Sequence, residues 1–304
     1  MGRRHLALVG ATASGKSALA MALARGRGDI EIVSVDSMQV YRGMDIGTAK
    51  PTADDRRAVP HHLLDLTDPS DDYTVTRFQQ AFTVALAGIE ARGNRALLVG
   101  GTGLYLSVVV DGLEIPGQYP EVRHDLEQDP DTVGLHRLLA ELDPVAAARM
   151  EPTNRRRVIR ALEVTRGSGR PFSSFGPGLD AYPPTRFALV GLRLEPALTA
   201  QRIPARFEQQ LADGFLDEVR RLRAAPSGMS RTARQALGYR ELLGHLEDGV
   251  PLADAVEQAV THTRQFARRQ RSWFRRDPRI TWLDHTGDPR GVLEILLRDW
   301  YECA

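Results

Sequence analysis

Residues 10–17 read Gly-Ala-Thr-Ala-Ser-Gly-Lys-Ser and combine a glycine-rich turn with a lysine and a hydroxyl group. This spacing fits the GxxxxGKS pattern, in which backbone N–H groups and a helix N-terminus surround an anion. In that pattern the lysine adds positive charge and the serine hydroxyl holds a magnesium ion. We therefore predict that this segment, the phosphate loop, binds a di- or triphosphate, with Ser17 as the candidate Mg²⁺ ligand. The predicted phosphate-binding residues are Gly10, Ala11, Thr12, Ala13, Ser14, Gly15, Lys16 and Ser17.

The neighbours of the phosphate loop support this prediction. His5 to Val9 is a short apolar run typical of a buried strand, and Ala18 to Ala24 is typical of the start of a helix. Only Lys16 and Lys50 are lysines among the 40 Lys and Arg residues, so a lysine at this position is not a result of composition. The loop does not name the reaction, because ATPases, kinases and other transferases share it.

Further apolar runs predict the sheet that carries the phosphate loop. Glu31 to Asp36, Ala96 to Gly101 and Phe187 to Leu194 resemble the first strand, and Val75 to Arg92 has the apolar spacing of a helix. Continuous apolar strands that alternate with helices indicate an α/β fold with a parallel sheet flanked by helices.

Two polar residues follow the predicted strands and become candidate site residues. Loops after parallel strands meet at one edge of the sheet, so Asp36 and Thr102 are expected beside the bound phosphates. A carboxylate there is suited to bind Mg²⁺ or to act as a general base, and a hydroxyl is suited to orient a leaving group. A helix N-cap or a turn residue is the alternative interpretation of Asp36, and a helix N-cap is the alternative for Thr102.

Composition narrows the class of protein. A chain of 304 residues with 42% hydrophobic and 26% charged residues is typical of an ordinary globular protein. Its single cysteine, Cys303, excludes a disulfide framework or a cysteine-based zinc site within one chain. No apolar stretch approaches the roughly 20 residues that cross a bilayer. We expect a cytoplasmic monomer that binds no membrane.

The chain changes character between two stretches of the predicted core. Residues 113–184 read as polar helices interrupted by proline and glycine, whereas the chain from Pro196 reads as helices through Leu222, near Ala233 to Glu247 and from about Leu252 to Arg276. We predict a catalytic core formed by residues 1–112 and 185–304. Residues 113–184 are then an inserted, mainly helical lobe.

Arginines cluster in two places that suit nucleic-acid phosphates. One cluster lies at 155–160, and the other forms a stripe along the last predicted helix at Arg264, Arg268, Arg271 and Arg275. A solvated helix face remains the alternative for each cluster. Phe266, Trp273 and Phe274 interleave with the stripe and are expected to anchor the helix to the core rather than to stack on bases.

Several segments together resemble one family, the tRNA dimethylallyltransferases or isopentenyl-tRNA transferases. They occur in the family's order and span nearly the whole chain, and the run from Asp36 is the most specific. The matching segments are the phosphate loop, Asp36 to Thr52, Pro60 to Asp65, Gly100 to Tyr105, Gln235 to Arg240 and Ala267 to Arg275.

The resemblance implies transfer of a dimethylallyl group from dimethylallyl diphosphate to the exocyclic amine of the adenosine just 3′ of the tRNA anticodon. The phosphate loop would hold the diphosphate leaving group with Mg²⁺, without a need for ATP. The implied catalytic residues are Asp36 as general base, Thr102 and Lys16. The implied contacts to the anticodon stem-loop are Asp36, Ser37, Met38, Gln39, Thr102, Arg123, Arg156, Arg157, Arg160, Gln235, Arg240, Arg268, Arg269, Gln270 and Arg275.

Two rival functions remain open from the residues alone. A small-molecule P-loop kinase would use Asp36 as base for a substrate hydroxyl and ATP in the phosphate loop, but it gives the arginine clusters no role. A nucleotide-regulated RNA-binding module would use the arginines but leave Asp36 and Thr102 without one. The pair His61–His62 lacks a third ligand at metal-binding spacing, so we expect it to make structural hydrogen bonds.

Overall fold

A computed structural model describes residues 5–176 and 178–302, and Cys303 lies outside this range. Within the described residues, six strands form one sheet in which all neighbouring pairs are parallel, with the order β3-β2-β4-β1-β5-β6. The strands are β1 (His5–Val9), β2 (Ile30–Val35), β3 (His61–His62), β4 (Arg95–Gly100), β5 (Phe187–Leu194) and β6 (Thr281–His285). The predicted α/β fold with a parallel sheet is confirmed.

Helices separate the strands and continue beyond the sheet. The first four are α1 (Lys16–Arg25), α2 (Ala53–Ala58), α3 (Val75–Ala91) and α4 (Gly103–Asp111). The next four are α5 (Pro120–Gln128), α6 (Thr132–Leu142), α7 (Pro144–Ala148) and α8 (Arg155–Ser168). The last six are α9 (Pro196–Ala212), α10 (Phe215–Ala224), α11 (Arg231–Arg234), α12 (Tyr239–Glu247), α13 (Leu252–Phe274) and α14 (Leu293–Leu296). None of these described helices is both long and apolar enough to cross a membrane.

The structure corrects some predicted element boundaries. β1 and β5 have the predicted bounds, and β2 and β4 begin and end one residue earlier than predicted. β3 and β6 were not predicted, because β3 has two residues and most of β6 is only partly buried, so neither gives a continuous apolar pattern. The single helix expected from Pro196 to Leu222 is two helices, which are separated at Gly214, where φ is +97°.

The strands of the sheet are buried on both faces. Alternate residues of β1 point into different apolar clusters, because successive side chains of a strand face opposite sides. Ala7 and Val9 pack with Phe78 of α3 on one face, whereas Leu6 and Leu8 pack with residues of α1 and α14 on the other. This two-sided burial explains the nearly continuous apolar sequences of the central strands.

The chain divides into two compact units. The first comprises residues 1–110 and 184–304 and contains the sheet, and the second comprises residues 111–183 and contains α5 to α8. The second unit has an apolar core of its own, which includes Leu135, Leu139 and Leu162. Within the first unit the Thr185 hydroxyl donates a hydrogen bond to the Val110 carbonyl at 3.0 Å. A role of the second unit in binding tRNA stays a prediction.

A buried carboxylate links the first residues of β2 to its neighbours. The Glu31 side chain accepts hydrogen bonds from the Arg92 guanidinium at 2.8 and 2.7 Å and from the Asn94 amide at 2.7 Å, and it lies 2.6 Å from His62 Nε2. The hydrogen bonds from Arg92, together with those from Asn94 and His62, lower the pKa of Glu31 from its usual 4.5 to about 2, although burial opposes this shift. Ionised Glu31 is therefore favoured by folding.

This network predicts a pH-dependent effect of Glu31→Gln on stability. Because the pKa is lower in the folded chain, the stabilisation from Glu31 is complete above pH 4.5 and is lost as the pH falls towards 2. Urea unfolding at several pH values should show the wild type about 3 kcal/mol more stable than the variant near pH 6, with the difference shrinking below pH 4.5. A difference that stays constant down to pH 3 would contradict the assignment.

Candidate active site

The phosphate loop connects β1 to α1 in the predicted way. Gly15 stands immediately before α1 with φ +88°, a left-handed conformation that glycine adopts without strain. Ser17 is exposed in the first turn of α1. From the far edge of the sheet, His285 Nε2 donates a hydrogen bond to the Ser14 carbonyl at 2.9 Å. The backbone of the loop is thus fixed by a residue almost at the other end of the chain.

Two cations lie beside the phosphate loop, and sequence reasoning identified only one of them. Lys16 Nζ donates a hydrogen bond to the Ala11 carbonyl at 2.7 Å. Burial and the charge of Arg206 lower the pKa of Lys16 to about 7, while Asp36 opposes the shift. Arg206 of α9 lies 3.5 Å from the Thr12 hydroxyl, and burial lowers its pKa as well. The available signal was an arginine between Ile203 and Phe207 on the apolar face of α9.

Asp36 and Thr102 come together at the carboxyl ends of β2 and β4. Asp36 Oδ1 accepts the backbone N–H groups of Met38 at 2.8 Å and Gln39 at 3.4 Å, so the predicted turn does form. Its Oδ2 has no hydrogen bond among the described residues. Thr102 Oγ1 accepts the Ser37 N–H at 3.2 Å, and the Thr102 carbonyl accepts the N–H of Leu106 in α4. Each residue therefore fixes backbone and also borders the same cavity.

The segment 36–52 is irregular but firmly held, as its hydrogen bonds show. Glu218 of α10 is buried, and its carboxylate accepts the backbone N–H groups of Asp45, Ile46 and Gly47 at 2.9, 2.8 and 3.2 Å. The Tyr239 hydroxyl donates to the same carboxylate. One buried side chain thus fixes three consecutive peptide groups of this segment.

Two further side chains hold the segment from within. Buried Lys50 forms ion pairs with Asp45 at 2.8 Å and with Asp65 at 2.6 Å. The Gln39 amide donates to the carbonyls of Thr48 and Ala49 and accepts the Ser34 hydroxyl. Gln39 does not line the cavity. Its contact with tRNA stays a prediction that the location of this side chain does not support.

A cavity of about 600 Å³ lies within the sheet-containing unit. Its polar lining includes Thr12, Asp36, Thr102 and Arg206. Its apolar lining includes Met38, Ile203, Phe207, Leu237 and Phe266. A ligand with an anionic end and an apolar end would match both kinds of residue.

The residues predicted to bind tRNA in the last third of the chain differ in their burial and in whether they line the cavity. Gln235, Arg240 and Arg269 line the cavity. Arg268 on α13 and Arg275 directly after this helix are exposed and do not line it. Gln270 is buried and uses both ends of its amide within the protein. Arg264 departs from the predicted stripe, because it is half-buried and donates to the Ala200 carbonyl of α9.

The aromatic residues of α13 also take separate positions. Phe274 is buried in the core and Trp273 packs partly against it, as expected of anchors. Phe266 lines the cavity. This leaves one aromatic ring of the helix beside a space that a ligand can enter.

The second unit has its own organisation of predicted tRNA-binding arginines. Buried Glu163 accepts Arg160 Nη1 at 2.7 Å and the Tyr119 N–H at 2.9 Å, and Arg123 Nη1 lies 3.5 Å from its carboxylate. The side chains of Arg156 and Arg157 are exposed on α8. One buried carboxylate therefore orients two of these four arginines.

The histidine pair makes structural hydrogen bonds. His61 Nδ1 lies 2.8 Å from the Val59 carbonyl, and His62 Nε2 contacts Glu31. Throughout residues 5–176 and 178–302, no three His, Cys, Asp or Glu side chains are grouped to hold a metal ion. A metal at the phosphate loop would therefore take ligands mainly from a bound phosphate and water.

The parallel sheet and the phosphate loop between β1 and α1 define a P-loop protein. Comparison with known proteins specifies the class further. The sequence profile of the IPP transferase family matches residues 39–277, and that of the isopentenyl transferases matches residues 4–68. The chain belongs to the IPP transferase family, and the resemblance to tRNA dimethylallyltransferases is confirmed.

Relatives match over almost the full chain. A tRNA dimethylallyltransferase of Geobacter metallireducens is 44% identical over 299 residues, which cover 97% of this chain and 96% of the relative. One of Salinispora tropica is 46% identical and covers 96% of this chain and 91% of the relative. The matched lengths leave little of either relative without a counterpart here.

Solved structures agree in fold. The tRNA isopentenylpyrophosphate transferase of Bacillus halodurans has a TM-score of 0.71 at 36% identity and covers 97% of this chain and 95% of that protein. A eukaryotic dimethylallyltransferase acting on tRNA has a TM-score of 0.81 at 26% identity, with 98% and 79% of the two chains covered. Both comparisons extend over the sheet-containing unit and the inserted unit.

The lowered pKa of Lys16 predicts how inorganic diphosphate binding depends on pH. Below pH 7 Lys16 is charged in the free protein, and above pH 7 it loses its proton. We expect Lys16→Met to weaken binding most below pH 7, with the difference from wild type narrowing as the pH rises to 9. The dissociation constants of both proteins are measured by calorimetry in the same buffers. The protonation of diphosphate itself then affects both values equally and cancels in their ratio. Equal ratios of dissociation constants at every pH would disprove this role.

The Glu218 contacts predict a large effect on stability. Glu218→Gln removes the negative charge shared by three N–H groups and the Tyr239 hydroxyl, so we expect a loss of about 3 kcal/mol in urea unfolding. Asp217→Asn is the matched control, because Asp217 is an exposed neighbour on α10 that forms an ion pair with exposed Arg220. The control should cost less than about 1 kcal/mol. Similar losses in both variants would contradict the role of Glu218.

Proposed function

We propose that this enzyme transfers a dimethylallyl group from dimethylallyl diphosphate to the exocyclic N6 amine of the adenosine 3′-adjacent to the anticodon in tRNA. The observation that carries the proposal is a cavity that residues of the phosphate loop, a carboxylate and several apolar side chains line together. The relatives are named for dimethylallyl transfer to tRNA, which fits these three features.

The donor fits the cavity by its two chemically different ends. The diphosphate would bind the N–H groups of the phosphate loop, Lys16 and Arg206, which supply positive charge where the leaving group develops negative charge. The dimethylallyl group would lie against Ile203 and Phe207. Burial of this group on an apolar wall also keeps water from the reacting carbon.

Mg²⁺ is the proposed cofactor, and the donor set fits it. Ser17 would provide a hydroxyl ligand, and the diphosphate and water would provide the other oxygens, as is common for this ion. When bound, Mg²⁺ supplies charge neutralisation at the diphosphate. The protein side chains remain responsible for orienting the donor and the acceptor.

Asp36 is the proposed general base. The N6 amine attacks the first carbon of the dimethylallyl group, the carbon–oxygen bond breaks, and its electron pair leaves with the diphosphate. The N6 proton passes to Asp36 Oδ2, since Oδ1 is held by the backbone N–H groups of Met38 and Gln39. Thr102 would orient the diphosphate or the base from the neighbouring strand end.

The acceptor adenine must leave its stack to enter such a cavity. Ser37, Met38, Gln235 and Arg240 line the cavity and are proposed to contact the extruded base. Two groups of arginines are proposed to bind tRNA phosphates. They are Arg268 and Arg269 of α13 with Arg275 directly after it, all three exposed, and, in the second unit, exposed Arg156 and Arg157 with partly buried Arg123 and Arg160. A monomeric enzyme that acts in the cytoplasm completes the proposal.

The experiment that tests this function follows a labelled dimethylallyl group. The protein is incubated with labelled dimethylallyl diphosphate, Mg²⁺ and an unmodified anticodon stem-loop, without ATP, and a stem-loop with guanosine at the target position is the control. Label on the adenosine substrate alone supports donor, acceptor and reaction together. No label on stem-loop or full-length tRNA, with ATP phosphate passing to a small molecule, would favour a kinase.

Asp36→Asn tests the general base while it preserves the turn, because asparagine retains an oxygen for the Met38 N–H. We expect the single-turnover rate to fall by about 10²- to 10⁴-fold. The affinity for the stem-loop, measured by fluorescence anisotropy, should change little. A rate within a few-fold of wild type would remove Asp36 from the mechanism.

A further inference from the structure

Gln270 of α13 connects two loops that border the cavity. Its Oε1 accepts the Thr12 N–H at 2.8 Å, and its Nε2 donates to the Gly101 carbonyl at 2.9 Å. The side chain is only 7% exposed. Since a primary amide offers both an acceptor and donors, it can join a backbone N–H of one loop to a backbone carbonyl of another.

Helix α13 also packs closely against the loop that contains Thr102. A Cβ atom on Gly101 would stand 2.2 Å from Gln270 Nε2, and one on Gly103 would stand 2.3 Å from Trp273 Nε1. Both distances are far shorter than a contact between real atoms, so α13 occupies the space where these side chains would be. The residue between the two glycines is Thr102, whose hydroxyl accepts the Ser37 N–H.

The same helix presents arginines on its exposed surface. Arg268, Arg269 and Arg275 are exposed, while Gln270 and Phe274 are buried. α13 thus has one face proposed to bind tRNA phosphates and another face attached to the phosphate loop and to the Thr102 loop.

We propose that Gln270 is a positioning residue that holds the phosphate loop and the Thr102 loop at a fixed spacing from α13. It does so through the two backbone hydrogen bonds and does not contact RNA. The inference rests on the proposed function, because it concerns the alignment of the diphosphate with the base. Binding of tRNA to the exposed face of α13 then places the adenine against loops that the same helix holds.

Gln270→Met tests this inference, because methionine has a similar length and cannot form either hydrogen bond. We expect kcat to fall by about 10- to 100-fold and KM for the donor to rise, because loss of precise positioning weakens catalysis. The dissociation constant for the stem-loop and its salt dependence should stay within about twofold of wild type. A general loss of folded protein would lower kcat, but it would not raise KM for the donor while leaving the dissociation constant for the stem-loop unchanged.

Two matched variants complete the comparison. Gln258→Met makes the same substitution at an exposed site on α13, and its kinetics should equal those of wild type. Arg268→Gln, at an exposed position outside the cavity lining, should show the opposite pattern. We expect weaker stem-loop binding, a salt dependence that is lower by about one released counterion, and an unchanged kcat at saturating RNA.

Gly101→Ala approaches the same contact from the other side and tests the inference if Gln270→Met does not fold. The added methyl group displaces the Gln270 amide, so the same fall in kcat with intact RNA binding is expected. Weaker RNA binding with normal kcat in Gln270→Met would overturn the inference in favour of an RNA contact. Wild-type kinetics would overturn it outright. Failure of the proposed function is distinct, because the wild type would then transfer no label.

Discussion

The site depends on an imbalance of charge in one cavity. Arg206 lines this cavity together with one carboxylate, Asp36, and Lys16 lies in the neighbouring phosphate loop; burial lowers the pKa of both cations. Two like charges in a half-buried space repel each other, and a multivalent anion relieves that repulsion. The phosphate loop adds backbone N–H groups that point to the same anion. The protein therefore holds an excess of positive charge that suits a multivalent anion, and the other features of the site keep these groups in place.

Those features act on the backbone and come from distant parts of the sequence. His285 holds the Ser14 carbonyl, Gln270 holds Thr12 and Gly101, and Glu218 holds three consecutive N–H groups of the segment after β2. Each of these three side chains is buried. These loops are fixed through their peptide groups, so the N-terminal loops carry the candidate site residues and the C-terminal elements set their geometry.

The sequence predicted the central strands and the residues at their carboxyl ends, because continuous apolar runs and a glycine-rich turn leave a direct pattern. It did not predict β6 or the break at Gly214, where exposure and a single backbone angle decide the structure. Arg206 and Glu218 were missed because their roles depend on contacts with segments about 170 to 194 residues away. Gln270 lay in a recognised segment, but only its burial distinguishes an internal bridge from an RNA contact.

The hydrogen bond between Thr185 and Val110 has a consequence for how such a chain can change over evolutionary time. It places the last residues before the second unit next to the first residues after it, so the intervening segment begins and ends at one point of the sheet-containing unit. A short turn of a few residues is long enough to bridge that gap. Recombination can therefore exchange, lengthen or remove the segment without altering the order of the strands, while the loops that border the cavity are inherited unchanged.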